Sequence, residues 1–231
     1  MIHRLGESHP STLQTLETLV LVYKSEGRYS DAQETATYLL HQNVHKLGES
    51  HPQTLKSKTI FAEILLACGK GSDAEKTQKE VIDIQGRTNA EIDYPGLFFY
   101  KTTLANILRE NGKWDDARKL SLEMVTKIRQ LRLGMDHRLT VNARYDLAVN
   151  YRLRGKFQKS LEIIRDVVSR RKNSLGSDHP DYLIAKYQEV VALYRLGGWK
   201  QAIEEQRKVL KAQSLLLGKT HPDTVTSLFT L

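Results

Sequence analysis

An all-α repeat fold, an α-solenoid of helix–turn–helix units, is what this sequence predicts, and three observations predict it. A corner string recurs through the chain at a fixed interval: LGESHP at 5–10, LGESHP at 47–52, LGMDHR at 133–138, LGSDHP at 175–180 and LGKTHP at 217–222, with a worn copy AEIDYP at 90–95. A second string recurs between the corners: GRYSDA at 27–32, GKWDDA at 112–117, GKFQKS at 155–160 and GGWKQA at 197–202. Apolar residues between the strings keep helical spacing, and no segment sustains strand-like alternation. A fixed period of this length is the mark of a stacked-repeat architecture.

The corner residues His9, His51, Tyr94, His137, His179 and His221 are spaced 42, 43, 43, 42 and 42. The units are therefore 9–50, 51–93, 94–136, 137–178 and 179–220, with a partial unit 221–231, in one solenoid segment spanning 1–231. Both ends resemble cuts through a repeat, so the expectation is a segment continuous with further repeats or an effector domain.

Each first helix starts at the corner, where proline loses no hydrogen bond. Leu13, Leu16, Leu19 and Tyr23 then form one apolar stripe, as do Leu104, Ile107 and Leu108, and Val141, Leu147 and Tyr151. The glycine of the second string suits the left-handed residue that ends a helix. The aromatic two residues on (Tyr29, Trp114, Phe157, Trp199) is expected to fill the space between helices. Ala32, Ala117, Ser160 and Ala202 are small enough to let the axes approach. Unit 2 departs from the pattern: Gly71 replaces the turn aromatic, Asn89-Ala90 replace Leu-Gly, and Gly86 falls late in a helix. It reads as the least regular joint.

The pattern Y-x-x-x-G-x-Y-x-x-A at 23–32, repeated with Phe and Ser at 151–160, resembles the core of the tetratricopeptide (TPR) consensus. The LG-x-x-HP corner and long helices resemble the kinesin-light-chain-like subtype. HPDTVTSLFTL at 221–231 is similar to arrays attached to fungal NLR-like signalling NTPases. The resemblance implies a right-handed superhelix whose first helices line a concave groove.

Composition sets the function classes. Hydrophobic residues make up 40% and charged residues 27%, with five Pro and 14 Gly, ordinary for a folded chain. Cys68 is the single cysteine, so an intramolecular disulfide is impossible; Leu65-Leu66-Ala67 beside it suggest a buried helical thiol. No leader-like apolar run opens the sequence and none approaches membrane-spanning length, so a cytoplasmic chain with no membrane partner is expected. The net charge is +8. Residues 1–93 hold 10 Lys/Arg against 13 Asp/Glu, and residues 94–231 hold 25 against 14. A basic half favours acidic partners.

Catalytic and cofactor chemistry is argued against. Corner histidines of stacked units stand at least a helix spacing of ~8–10 Å apart, too far to share a zinc. Gly218-Lys219-Thr220 has Gln213 where a phosphate loop needs its first glycine. No nucleophile elbow is present, and Asp115-Asp116 and Glu204-Glu205 suit helix N-terminal turns. The expectation is a non-enzyme with no cofactor and no metal.

The groove candidates follow from the position after the core residue that precedes each turn: Lys24, Arg109, Arg152 and Arg195. Lys56, Thr59, Asn106, Asn142 and Tyr145 lie further back on the same faces. Arginine clamps carboxylates bidentately and asparagine pairs with peptide amides, so the expected partner is a protein or peptide with acidic residues. A basic residue there also suits the helix dipole without any ligand. Arg170-Arg171-Lys172 is expected on a solvated outer face. The leading function is a protein–protein interaction module, adaptor or scaffold. The alternative is a ligand-sensing or regulatory arm of a larger STAND-type signalling ATPase. Nucleic-acid binding is disfavoured, since most aromatics occupy core positions and not base-stacking ones.

Overall fold

In the computed structural model, residues 10–87 and 94–228 are described, and among them every regular element is a helix. We number them α1 (Pro10–Ser25), α2 (Tyr29–Leu47), α3 (Pro52–Ala67), α4 (Gly71–Arg87), α5 (Tyr94–Glu110), α6 (Trp114–Gln130), α7 (Arg138–Leu153), α8 (Phe157–Leu175), α9 (Pro180–Arg195), α10 (Trp199–Leu216) and α11 (Pro222–Leu228). The chain forms two compact units, Met1–Lys113 with α1–α5 and Trp114–Leu231 with α6–α11. Inside each unit every helix packs on its neighbour in sequence, and first helices also touch each other, α1 on α3, α3 on α5 and α7 on α9. This is the helix-hairpin stacking of a TPR-like solenoid.

The turns are built as the glycines require. Gly27, Gly69, Gly112, Gly155 and Gly197 all have φ between 71° and 86°. At each, the amide one residue on donates back five residues, as Arg28 N to Tyr23 O (2.9 Å) and Lys156 N to Tyr151 O (2.9 Å). That bond closes the last open carbonyls of the first helix. At the corners, Nδ1 of His51, His137 and His179 accepts the backbone amide two residues on, at 3.2, 3.2 and 3.1 Å. The recurring histidine is an N-cap, an uncommon residue in a common role.

The small residues after the turns are fully or almost fully buried: Ala32, Ala74 and Ala117 at 0%, Ser160 at 1% and Ala202 at 2%. In the first unit Val20, Ala32, Ala36, Ile60 and Ile64 share one core cluster. In the second, Ala148, Leu161, Ile164, Ala185, Val190 and Ala202 belong to another.

Three expectations change. The turn aromatics do not fill the gap between helices: Tyr29, Trp114 and Trp199 are 42, 46 and 62% exposed. Each opens its second helix, and the buried alanine three residues later makes the contact instead. A ring half in water cannot carry the ~3–5 kcal/mol of a fully buried aromatic. Cys68 is half-buried and caps α3, with Sγ 3.7 Å from Tyr29 O. Unit 2 is also better braced than its missing aromatic implied. Asn111 Nδ2 donates to Gly71 O at 2.8 Å, and a Cβ at position 71 would stand 1.9 Å from Asn111 Oδ1. A side chain at 71 would have to displace this polar tie. Asn89 and Ala90 lie outside the described residues.

Candidate functional site

The inner faces of the two units differ. In the first, cations and anions alternate across the touching helices α1 and α3. Lys24 pairs with Glu63 at 2.9 Å, and Lys56 pairs with Glu17. A cavity of about 410 Å³ opens beside the second pair, lined among others by Gln14, Asn43, Lys46 and Gln53. Thr59 is fully buried and donates its hydroxyl to Leu55 O at 3.0 Å, so it offers nothing to a ligand. Asn106 on α5 is exposed, and Arg109 at the end of α5 is half-buried.

In the second unit the candidates gather around a residue assigned to the wrong face. Arg171, expected in solvent on the outer surface, is only 7% exposed. From α8 it reaches inward, and its guanidinium lies over the Tyr145 ring, 4.6 Å from the centroid. Nη1 donates to Asp181 O at 2.7 Å and Nη2 to Asn142 Oδ1 at 3.1 Å. Burial lowers its pKa, opposed by the nearby charges of Asp181, Tyr145 and Asp146; guanidinium stays cationic regardless. One side chain thus ties α8 to α7 and to the start of α9. Arg170 points elsewhere, to Asp166 (2.9 Å) and Asp136 (2.6 Å), while Lys172 alone of the three is fully solvated.

Sequence reading missed Arg171 because its neighbours suggested a charge run. Register contained the signal: counting by repeats, position 171 corresponds to Asn43 and Gln213, both buried at 0 and 2%. Asn43 makes the same kind of tie, donating to Ser57 Oγ in the next helix at 2.6 Å. A polar residue at this place in the second helix links one hairpin to the next.

Arg152 and Arg195 end α7 and α9, the inner helices of this unit that touch. Arg152 is half-buried; Arg195 is exposed and has no ion-pair partner among the described residues. Residues 114–231 hold 22 Lys/Arg against 13 Asp/Glu, a net of +9. The arrangement can bind a carboxylate or peptide group from solvent, and no described cluster of three or more His, Cys, Asp or Glu is placed to hold a metal. Among the described residues no helix is long and apolar enough to cross a membrane.

Residues 99–173, from α5 to the end of α8, match the tetratricopeptide-repeat family model. That stretch carries tetratricopeptide repeats. The chain is similar to the nearly identical TPR-like repeats of a Podosopora anserina putative kinesin light chain, at 25% identity and TM-score 0.66, covering 89% of this chain and 96% of that one. BtubC (BKLC) of P. vanneervenii shares the fold at 14% identity and TM-score 0.67, over 92% of this chain and 83% of that one. So does Bacillus thuringiensis PlcR, solved in complex with the peptide PapR7 and DNA, at 18% identity and TM-score 0.66, over 90% and 71%. No curated protein sequence matches this chain significantly.

Proposed function

We propose that this TPR chain is a protein-binding module without catalytic activity, and that the inner face of its second unit receives an acidic peptide segment of a partner. The observation that carries the reading is the Arg171–Tyr145–Asn142 cluster. A buried cation and an aromatic ring are pre-positioned at the base of a face that ends in Arg152 and Arg195. Rigid side chains lose little freedom on binding, which is where affinity is gained. The fold shared with PlcR, which was solved with a peptide bound, supports peptide as the ligand class. Arg109, on the inner face of the first unit, is proposed to contribute in the same way.

The test compares two charge-matched variants with a fluorescein-labelled peptide of alternating Glu and Leu as probe. Arg152→Ala/Arg195→Ala is expected to weaken binding about 10-fold or more, and the loss should shrink as salt rises. Lys200→Ala/Lys211→Ala removes two exposed charges from α10 and should change affinity less than about 2-fold. Arg170, Arg171 and Lys172 do not serve as the charge-matched control, because Arg171 supports the site. Equal losses in the two variants would reduce the reading to general attraction of a basic protein.

A further inference from the structure

The spacing of the repeats conceals one inserted residue. From the first residue of the second helix to the corner glycine the chain counts 19 residues in three repeats (Tyr29 to Gly48, Phe157 to Gly176, Trp199 to Gly218) but 20 from Trp114 to Gly134. The structure absorbs the extra residue by ending α6 early. α2 and α8 are 19 residues long and end on glycines at φ 86° and 87°, whereas α6 has 17 and stops at Gln130. Arg132 then takes the left-handed conformation, φ 53°, the described non-glycine residue with positive φ. Glycine adopts that conformation without steric cost and arginine does not.

A cavity of about 170 Å³ lies at this corner, inside the second unit. Its apolar wall is Val125, Ile128, Leu133 and Met135, and Arg129, Arg132 and Arg144 complete it; no carboxylate lines it. Arg144 is only partly used: Nη2 pairs with Asp166 at 3.1 Å, while its Nε is buried without a hydrogen-bond partner. Arg129 and Arg132 have no ion-pair partner among the described residues. The site is separate from the peptide face. Along α7, Thr140 and Arg144 lie within ~40° of each other and ~80–160° around the helix from Asn142, Tyr145 and Arg152, at ~100° per residue.

We propose that this corner cavity binds a small apolar carboxylic acid. A cavity of ~150 Å³ lined by apolar side chains accommodates benzene, so this one accepts a single ring or a branched aliphatic group. Three guanidiniums at its edge match a planar carboxylate, which they can grip bidentately. The strained arginine gives the arrangement a reason: a glycine at 132 would relax the corner but remove one of the three cations. The same chemistry is offered by the C-terminal residue of a peptide. The corner's size favours the free acid, because the cavity has room for one apolar group.

The chain has three methionines, which makes methyl-labelled methionine a sparse probe: Met135 lines the cavity and Met124, 1% exposed, reports on the core. Titration with 3-phenylpropionate should shift the Met135 methyl in a saturable way, with a Kd on the order of 1 mM or below, as expected for so small a ligand. 3-Phenylpropionamide should bind about 10-fold more weakly, for lack of charge. Arg132→Gln and Arg129→Gln should each weaken the acid about 3- to 10-fold; neither residue has a partner to lose, so folding is preserved. Val125→Phe should abolish the shift by filling the space. A linear, non-saturating response overturns the proposal, as does an equal response to the amide or to inorganic phosphate. A tripeptide ending in Phe that binds more tightly than the acid overturns the assignment to a free acid.

Discussion

The two units use the same hairpin but treat inner-face charge in opposite ways. In the first, two cations on the inner helices face anions one helix away, Lys24 opposite Glu63 and Lys56 opposite Glu17. In the second, the inner stripe of α7 carries Asn142, Tyr145 and Arg152, α9 ends in the exposed Arg195, and Arg171 adds a further cation beneath α7's stripe. A face that neutralises itself leaves little potential for a ligand, whereas an excess of like charge raises the local potential and attracts the opposite sign. The repeat thus fixes the scaffold, and a few side chains set the charge of each inner face.

The largest expected effect tests whether Arg171 is a support or merely a surface charge. Arg171→Met keeps the length of the side chain but leaves Asp181 O without its donor, Asn142 Oδ1 without its partner and Tyr145 without its cation. Summing lost hydrogen bonds to a charged group and a partly desolvated cation–π contact gives a destabilisation of about 2–4 kcal/mol. Urea denaturation should find that loss for Arg171→Met and less than about 0.5 kcal/mol for the solvated neighbour Lys172→Met. Similar small losses for both would return Arg171 to the solvent-facing role that its sequence neighbours suggest.

The hairpins, turns and corners were legible in the sequence because each rests on a local rule: proline or a capping residue at a helix start, glycine where φ is positive, small residues where axes approach. The site was legible only in part. Asn142, Tyr145 and Arg152 come from the stripe of one first helix, and Arg195 from the end of the next, one residue out of register with Arg152. Arg171 comes from a second helix, and its inward reach depends on register across the repeat, which a reading of charge runs overlooks. The same limit explains the turn aromatics. The string marks where Trp199 stands in the chain, but whether a ring two residues after the glycine points inward is set by the tilt of the second helix. Gly71 is the converse case. It looks like erosion of the repeat, and becomes intelligible once Asn111, forty residues away, is seen to occupy the space.

The next effect concerns how the first unit replaces that missing aromatic. Glu75 is nearly buried, and its carboxylate accepts from Lys79 (2.7 Å), Lys113 (2.9 Å) and Asn111 (3.3 Å). Burial raises its pKa, but the bonds from Lys113, Lys79 and Asn111 outweigh that and carry it down to about 2. A carboxylate with a folded pKa below its unfolded one stabilises the fold above the unfolded value, near 4.5, and loses that contribution as pH falls toward 2. Glu75→Gln should therefore cost about 1–3 kcal/mol at pH 7 and almost nothing at pH 2, measured by denaturation across that range. A penalty that does not vary with pH would mean that packing, not the charge, holds this joint.

The smallest effect on stability is the sharpest on the comparison itself. If the first unit is silent toward acidic ligands because its cations are masked, removing the masks should expose it. Glu17→Gln and Glu63→Gln leave hydrogen-bonding side chains of nearly the same shape and free Lys56 and Lys24. Both pairs are partly solvated, with lysine side chains 48 and 36% exposed, so each substitution should cost no more than about 1 kcal/mol. Binding is best read in the Arg152→Ala/Arg195→Ala background, where the second unit no longer dominates. There the two glutamine substitutions should restore affinity for the Glu–Leu probe several-fold at low salt, and the gain should fade above about 0.3 M as exposed charges are screened. If no affinity returns, charge masking is not what distinguishes the units. The difference would then lie in shape: the second unit has a buried guanidinium stacked on Tyr145, and the inner helices of the first have nothing equivalent on the stripe of Lys24, Lys56 and their partners.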